Sequence, residues 1–182
     1  LSLLRLRRPD DWHLHLRDGV HMAAVLPFTA QRFARALVMP NLKPPMTTTA
    51  ALADYRARIL AALPPGSVFE PLMTLYLTDR TPPDEIRRAR ASGFVVGAKL
   101  YPAGATTHSD SGVTSIEHTW PALEAMAEAG VECLKSKLVR TLEEAEAAAA
   151  EMGFPIIIRP SFTLGGTGGG TAYDLEELKN IT

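Results

Sequence analysis

The stretch Asp11-Trp12-His13-Leu14-His15-Leu16-Arg17-Asp18-Gly19 decides how the rest of the chain is read. Trp12, Leu14 and Leu16 alternate with His13, His15 and Arg17. Alternate side chains of a β-strand point to opposite faces. A strand over 10–17 therefore has one apolar face and one face carrying two imidazoles and a guanidinium. Two His at i and i+2 can share a metal ion, because the neutral imidazole nitrogen is a common ligand. Arg17 adds a rigid fork that matches a carboxylate. Asp18-Gly19 ends the strand in a turn. The His-x-His spacing also occurs in ordinary half-buried strands, so the Arg-Asp-Gly that follows it carries much of the weight.

Around this stretch lies a chain of 182 residues, enough for one domain or two small ones. It is 46% hydrophobic and 21% charged, which fits a soluble globular protein. A net charge of -1 gives no nucleic-acid footprint. The single cysteine, Cys133, excludes an internal disulfide and suits a reducing cytoplasm. No apolar run reaches the length of a membrane span, and no charged-then-apolar leader opens the chain. The expectation is a cytoplasmic protein with a small-molecule substrate, without nucleic acid or membrane. That the first residue is Leu1 and not Met hints at a fragment or a processed start.

Strands and helices alternate after the first strand. Residues 21–33 read as a helix, and 36–41 as a short buried strand ending in Pro40-Asn41. Residues 49–63 form an alanine-rich helix with Leu52, Tyr55, Ile59 and Leu63 on one stripe. A third strand runs from Phe69 to Thr78. Thr81-Pro82-Pro83-Asp84 opens the next helix, with Thr81 as its N-cap. A fourth strand spans Val95 to Tyr101 and holds Lys99. Thr114 and Glu117 have capping-box spacing before a helix running to about Gly130. Four βα units in a row predict a parallel sheet. In a (β/α)₈ barrel the reactive residues sit at the C-terminal ends of the strands. His13, His15, Arg17, Asn41 and Lys99 all fall at or near such ends. A lysine buried in a strand gains a neutral, nucleophilic amine, unless it snorkels its ammonium to the strand end.

Arg7-Arg8-Pro9-Asp10-Asp11 leading into Trp12 to Arg17, then Val38-Met39-Pro40-Asn41, Ala98-Lys99-Leu100-Tyr101-Pro102 and Ala105-Thr106-Thr107 closely resemble dihydroorotase of the single-function bacterial type. The resemblance covers roughly residues 1–130. It implies a metal-dependent amidohydrolase on a (β/α)₈ barrel that interconverts N-carbamoyl-L-aspartate and L-dihydroorotate in pyrimidine synthesis. It further implies that His13 and His15 bind one zinc, and that Lys99, carboxylated on its amine, bridges two. Arg17 and Asn41 would hold the substrate carboxylate, and Thr106 and Thr107 would lie on a loop closing over it. Near residue 131 the likeness stops. No histidine follows His118, so two later histidine ligands and an aspartate base of the family have no counterpart in these 182 residues.

The remaining residues form a further pattern. Thr141 and Glu144 make a capping box for a helix through about Met152. Ile156 to Arg159 read as a buried strand, and Asp174 and Glu177 suit the cap of a last helix. Between them, Gly165-Gly166-Thr167-Gly168-Gly169-Gly170 lets backbone N–H groups approach an anion. It lacks both the Gly-Lys-Ser/Thr ending of a P-loop and the GxGxxG register. The run from Gly153 to Tyr173 resembles the large chain of carbamoyl-phosphate synthetase, an ATP-grasp fold. By that resemblance Arg159, Gly165 and Gly166 would contact ATP.

The expected architecture is α/β throughout. Residues 1–130 form the first half of a TIM-type barrel, and 131–182 a small ATP-grasp fragment. Three readings follow. The chain is a dihydroorotase-type zinc enzyme, without useful turnover as it stands; or an ATP-binding fragment of a carbamoyl-phosphate synthetase; or a chimera with neither function. The strand edges of a half barrel also invite self-association, as in a homodimer.

Overall fold

The computed structural model describes residues 5–105, 107–131, 135–160 and 169–181. Thr106, Cys133, Gly165 and Gly166 lie outside the described residues. The chain divides into two compact units, Leu1–Glu132 and Cys133–Thr182.

The first unit follows the sequence pattern closely. Its elements are β1 (Asp10–Leu14), α1 (Gly19–Arg32), β2 (Arg35–Val38), α2 (Thr49–Ala61), β3 (Glu70–Leu77), α3 (Pro83–Ala91), β4 (Val95–Leu100), a 3₁₀ turn (Ile116–Thr119) and α4 (Trp120–Glu128). All neighbouring strands pair in parallel, in the order β1-β2-β3-β4. Spatial order equal to chain order is the sequence of a barrel; a doubly wound sheet reverses direction at a switch point. Leu14, Ala36, Val38, Met73, Leu75 and Leu77 of the sheet meet Met22, Leu26 and Ala30 of α1 and Leu52, Tyr55 and Ile59 of α2 in one core. Each large side chain so buried contributes about 1.5–3 kcal/mol. β1 and β4 are the sheet's two edges, and Trp12 and Val96 on them are 60% and 47% exposed.

Polar contacts fix how these elements meet. Asp10 and Arg35 are register partners on β1 and β2, and Arg35 donates to both carboxylate oxygens, the shortest bond being 2.5 Å. Asp18 and Thr48 cap α1 and α2 by accepting from Gly19 N and Ala51 N. Glu85 of α3 is buried, yet its Oε1 accepts from Thr49 N at 2.6 Å and Thr49 Oγ1 at 2.5 Å, and its Oε2 from Arg88 at 2.7 Å. Burial alone would raise this carboxyl. The hydrogen bonds from Thr49 and Arg88 outweigh it, and the net displacement is downward from 4.5. Its contribution to stability is therefore complete above about pH 4.5 and is lost as pH falls through the lower folded-state value. Glu85→Gln is expected to destabilise the first unit by about 1–3 kcal/mol at neutral pH. It should also flatten the decline in urea-unfolding stability below pH 4.5. An unchanged acid limb in the variant would remove Glu85 as its source.

Four details differ from the sequence expectation. β1 stops at Leu14, not at residue 17: the register shifts between Asp11 and Leu14, and the backbone turns left-handed at Arg17. Thr81 does not cap α3; Pro82 holds that position, since Thr81 Oγ1 is engaged with Thr78 N at 2.9 Å. Thr114 makes no capping box, because its N–H and hydroxyl both donate to Asp79. The segment after it is 3₁₀ before it becomes α4.

The second unit comprises α5 (Leu142–Met152), β5 (Ile156–Ile158), β6 (Gly170–Ala172) and α6 (Leu175–Ile181). Thr141 Oγ1 accepts from Glu144 N at 3.2 Å, and Asp174 Oδ1 from Glu177 N at 2.8 Å, the two caps read from sequence. β5 is not the buried strand expected: Ile157 is 70% exposed. Among the described residues the strand pairs with β6 alone, antiparallel, and Ile157 faces solvent. The core is small, built on Ala145, Ala149, Ala172 and Leu178. Gly169 is required where it stands, since a Cβ there would lie 2.9 Å from the Ile158 carbonyl oxygen. Among the described residues, no helix of either unit is long and apolar enough to cross a membrane.

Candidate metal and carboxylate site

The C-terminal ends of β1, β2 and β4 bring the sequence's candidate residues together on the first unit. His13 lies in β1 and His15 just beyond it. Their Nε2 atoms approach to 3.3 Å, with ring centroids 5.2 Å apart and planes tilted by 46°. Two imidazole nitrogens bound tetrahedrally to zinc at about 2.0–2.1 Å would be about 3.3–3.4 Å apart. The pair is spaced as one edge of such a tetrahedron, so the donors present fit a zinc ion. His15 is displaced below 6.5 by partial desolvation first, then by the charges of Arg17 and His13. These effects outweigh the Asn41 side-chain interaction, which acts upward, and favour the neutral ring that a metal needs. Among the described residues no cluster of three or more His, Cys, Asp or Glu forms a complete cage.

Arg17 follows in the turn after β1 with φ 60°, in the left-handed region. Among the described residues it has no carboxylate partner. Asn41, just past β2, is buried; its Nδ2 donates to the Thr107 carbonyl at 3.0 Å. The Tyr101 hydroxyl is buried without a hydrogen-bond partner among the described residues; Asn41 Oδ1 makes no well-formed hydrogen bond, although the Asn41 side chain interacts with the His15 ring. Buried polar atoms so placed suit a polar ligand better than an apolar one. Lys99 on β4 is half-buried, with its Nζ 5.7 Å from the Tyr101 ring centroid. Its charge reaches His15.

The loop after β4 is tied to the same site. His108, with φ 58°, places its Nδ1 3.2 Å from the Asn41 carbonyl, and Tyr76 donates to the His108 carbonyl at 3.3 Å. Gly112 permits the loop's return: a Cβ there would fall 2.3 Å from the Tyr101 carbonyl oxygen. Sequence reasoning missed His108, Tyr76 and Tyr55 as site-supporting residues. Tyr55 carried only the signal of an apolar stripe, and His108 none. In the second unit, Arg159 follows β5 and is exposed.

A parallel βα sheet in barrel order, with two imidazoles and a guanidinium at the C-terminal ends of its strands, has the layout of part of a (β/α)₈ barrel. The similarity is to dihydroorotases. The dihydroorotase of Cupriavidus taiwanensis is 71% identical over 131 residues, which are 72% of this chain and 38% of that relative. That of Laribacter hongkongensis is 67% identical over 135 residues, 74% of this chain and 39% of the relative. The crystal structure of the Campylobacter jejuni dihydroorotase superposes with a TM-score of 0.63 at 35% identity, covering 80% of this chain and 45% of that one. The chain thus spans well under half the length of the curated relatives it matches. Residues 120–182 match the family model for the carbamoyl-phosphate synthase L chain, ATP binding domain. That match begins at the start of α4. A dihydroorotase-like segment is joined to a segment like that ATP-binding domain.

Proposed function

We propose that the first unit carries the N-terminal half-site of a dihydroorotase, acting on N-carbamoyl-L-aspartate and L-dihydroorotate. The domain reading is a dihydroorotase-like half barrel over residues 1–130. The observation that carries the proposal is the 3.3 Å approach of the His13 and His15 Nε2 atoms. In this reading those atoms hold one zinc, and Lys99, carboxylated on Nζ, reaches a second. Bound zinc would supply Lewis acidity toward the ring amide and acidify a water. Arg17 grips the substrate carboxylate with its planar fork, and Asn41 adds an amide donor. Thr106 and Thr107 serve on the loop that covers the substrate. The two open sheet edges favour a homodimer, and pyrimidine synthesis sets the protein in the cytoplasm.

The test is calorimetric titration of the zinc-loaded chain with N-carbamoyl-L-aspartate. Saturable binding is expected, weakened at least about tenfold in Arg17→Gln, as for loss of a charge-assisted pair worth about 1.5–3 kcal/mol. Equal affinity in wild type and variant would remove Arg17 from the site.

A second reading rests on the family-model match over residues 120–182. In it, residues 131–182 are an ATP-grasp fragment in which Arg159, Gly165 and Gly166 contact ATP. Backbone N–H groups of a glycine loop are suited to phosphate oxygens. ATP protection of the 161–170 segment from proteolysis supports this reading; cleavage at the same rate with and without ATP counts against it.

A further inference from the structure

Arg17 adopts a left-handed backbone conformation, φ 60°, that a side-chain-bearing residue rarely takes. Such a conformation persists where its surroundings over-determine it, and it then marks a place where geometry matters. Here the surroundings come from α2. The Tyr55 hydroxyl donates to the Arg17 carbonyl oxygen at 2.5 Å. One turn further on, Arg58 Nη2 and Nε donate to Asp18 Oδ2 at 2.7 Å and Oδ1 at 3.2 Å. Residues three apart on a helix share a face, so one face of α2 holds both sides of the Arg17–Asp18 peptide. Asp18 Oδ1 also accepts from Gly19 N at 2.9 Å, which starts α1. The Tyr55 ring is fully buried in the core, and the Arg58 guanidinium stands 5.4 Å from its centroid. The hydroxyl is thus delivered to the turn by a rigid, apolar-anchored ring.

We propose that Tyr55 and Arg58 form a latch that fixes the turn after β1 and so aims the Arg17 guanidinium at a carboxylate ligand. Tyr55 is a positioning residue: it touches backbone, not ligand. The inference rests on the reading of Arg17 as the carboxylate anchor. A core residue that merely filled space would need the ring alone, which phenylalanine keeps. The latch needs the hydroxyl. The imidazole pair lies before the turn, so loosening the turn should spare zinc binding and weaken carboxylate binding.

The experiment uses the full 182-residue chain, isotopically labelled, as wild type, Tyr55→Phe, Arg58→Gln and Arg17→Gln. The intraresidue HN–Hα cross-peak of Arg17 is recorded by NMR, because it is strong at positive φ. Zinc and then N-carbamoyl-L-aspartate are titrated. In Tyr55→Phe the cross-peak should weaken and carboxylate affinity fall about five- to tenfold, as for one lost hydrogen bond. Zinc affinity should stay within about twofold. Arg58→Gln, a change at a half-exposed side chain, should act in the same direction; it decides the matter if Tyr55→Phe does not fold. An unchanged cross-peak in both variants overturns the latch, as does unchanged carboxylate affinity in variants whose parent loses it on Arg17→Gln. If Arg17→Gln itself leaves affinity unchanged, the carboxylate reading fails, and the latch with it as an aiming device. The cross-peak then shows separately whether the turn is held.

Discussion

A strain without dihydroorotase is expected not to grow on medium lacking pyrimidines when these 182 residues are its only replacement. Ring closure or hydrolysis needs a metal-activated water, a carboxylate anchor and a proton carrier acting as a unit. In the proposed reading Arg17 and Asn41 offer the anchor, and His13, His15 and Lys99 part of the metal cage. The proton carrier implied by the dihydroorotase resemblance lies in the portion of the relatives that this chain does not span. Four carboxylates of the first unit, Asp10, Asp18, Asp79 and Glu85, are engaged elsewhere. Asp10, Asp18 and Asp79 are held below the usual carboxylate range by hydrogen bonds, chiefly from Arg35, Arg58 and Thr114 respectively. Glu85 is held below it by Thr49 and Arg88 despite its burial. A carboxylate so stabilised is a weak base. General acid–base catalysis is typically worth about 10²–10⁴-fold, and an incomplete cage should cost more. Activity of the purified chain is expected at least about 10⁴-fold below that of a full-length relative. Growth that depends on His15 and Lys99 would overturn this, and would mean that a second chain completes the site.

Zinc binding should be measurable and should depend on one pair of side chains. Chelator competition at pH 7.5 is expected to show a weak site that His13→Ala/His15→Ala abolishes, with a loss of at least about 100-fold. Removal of a supporting partner already costs about 10–100-fold in metal sites, and here the ligands themselves are removed. Affinity should also fall as pH drops, since a protonated imidazole has no lone pair to give. His15, displaced below 6.5, should resist protonation to a lower pH than an ordinary imidazole. Equal zinc content in wild type and double variant after dialysis would contradict the assignment.

The fold of the first unit was legible because its signals are local. The period-two alternation from Trp12 to Arg17 puts both imidazoles on one face, and the structure brings their nitrogens together. The stripe Leu52, Tyr55, Ile59 named the buried face of α2. Legibility failed where a distant residue competes. Thr114 has capping-box spacing, but Asp79, 35 residues earlier, takes its N–H and hydroxyl. The strand was expected to run to Arg17, and nothing local says otherwise. The left-handed turn there is set by a hydroxyl 38 residues further along. By its stripe Tyr55 is a core residue, and its ring is one; its hydroxyl reaches the Arg17 carbonyl. In the second unit, Ile156-Ile157-Ile158 looks fully buried by composition. An antiparallel pair with a single partner strand leaves Ile157 in solvent.

The central claim is that His13 of β1 and His15 just past its end form half of a metal site. X-ray absorption at the zinc edge tests it most directly, on the chain loaded with one equivalent of zinc. The expected spectrum shows two imidazole nitrogens at about 2.0–2.1 Å, the remaining scatterers being light atoms, and loses the imidazole signature in His13→Ala/His15→Ala. A shell without imidazole, or one that survives the double substitution unchanged, would contradict the account.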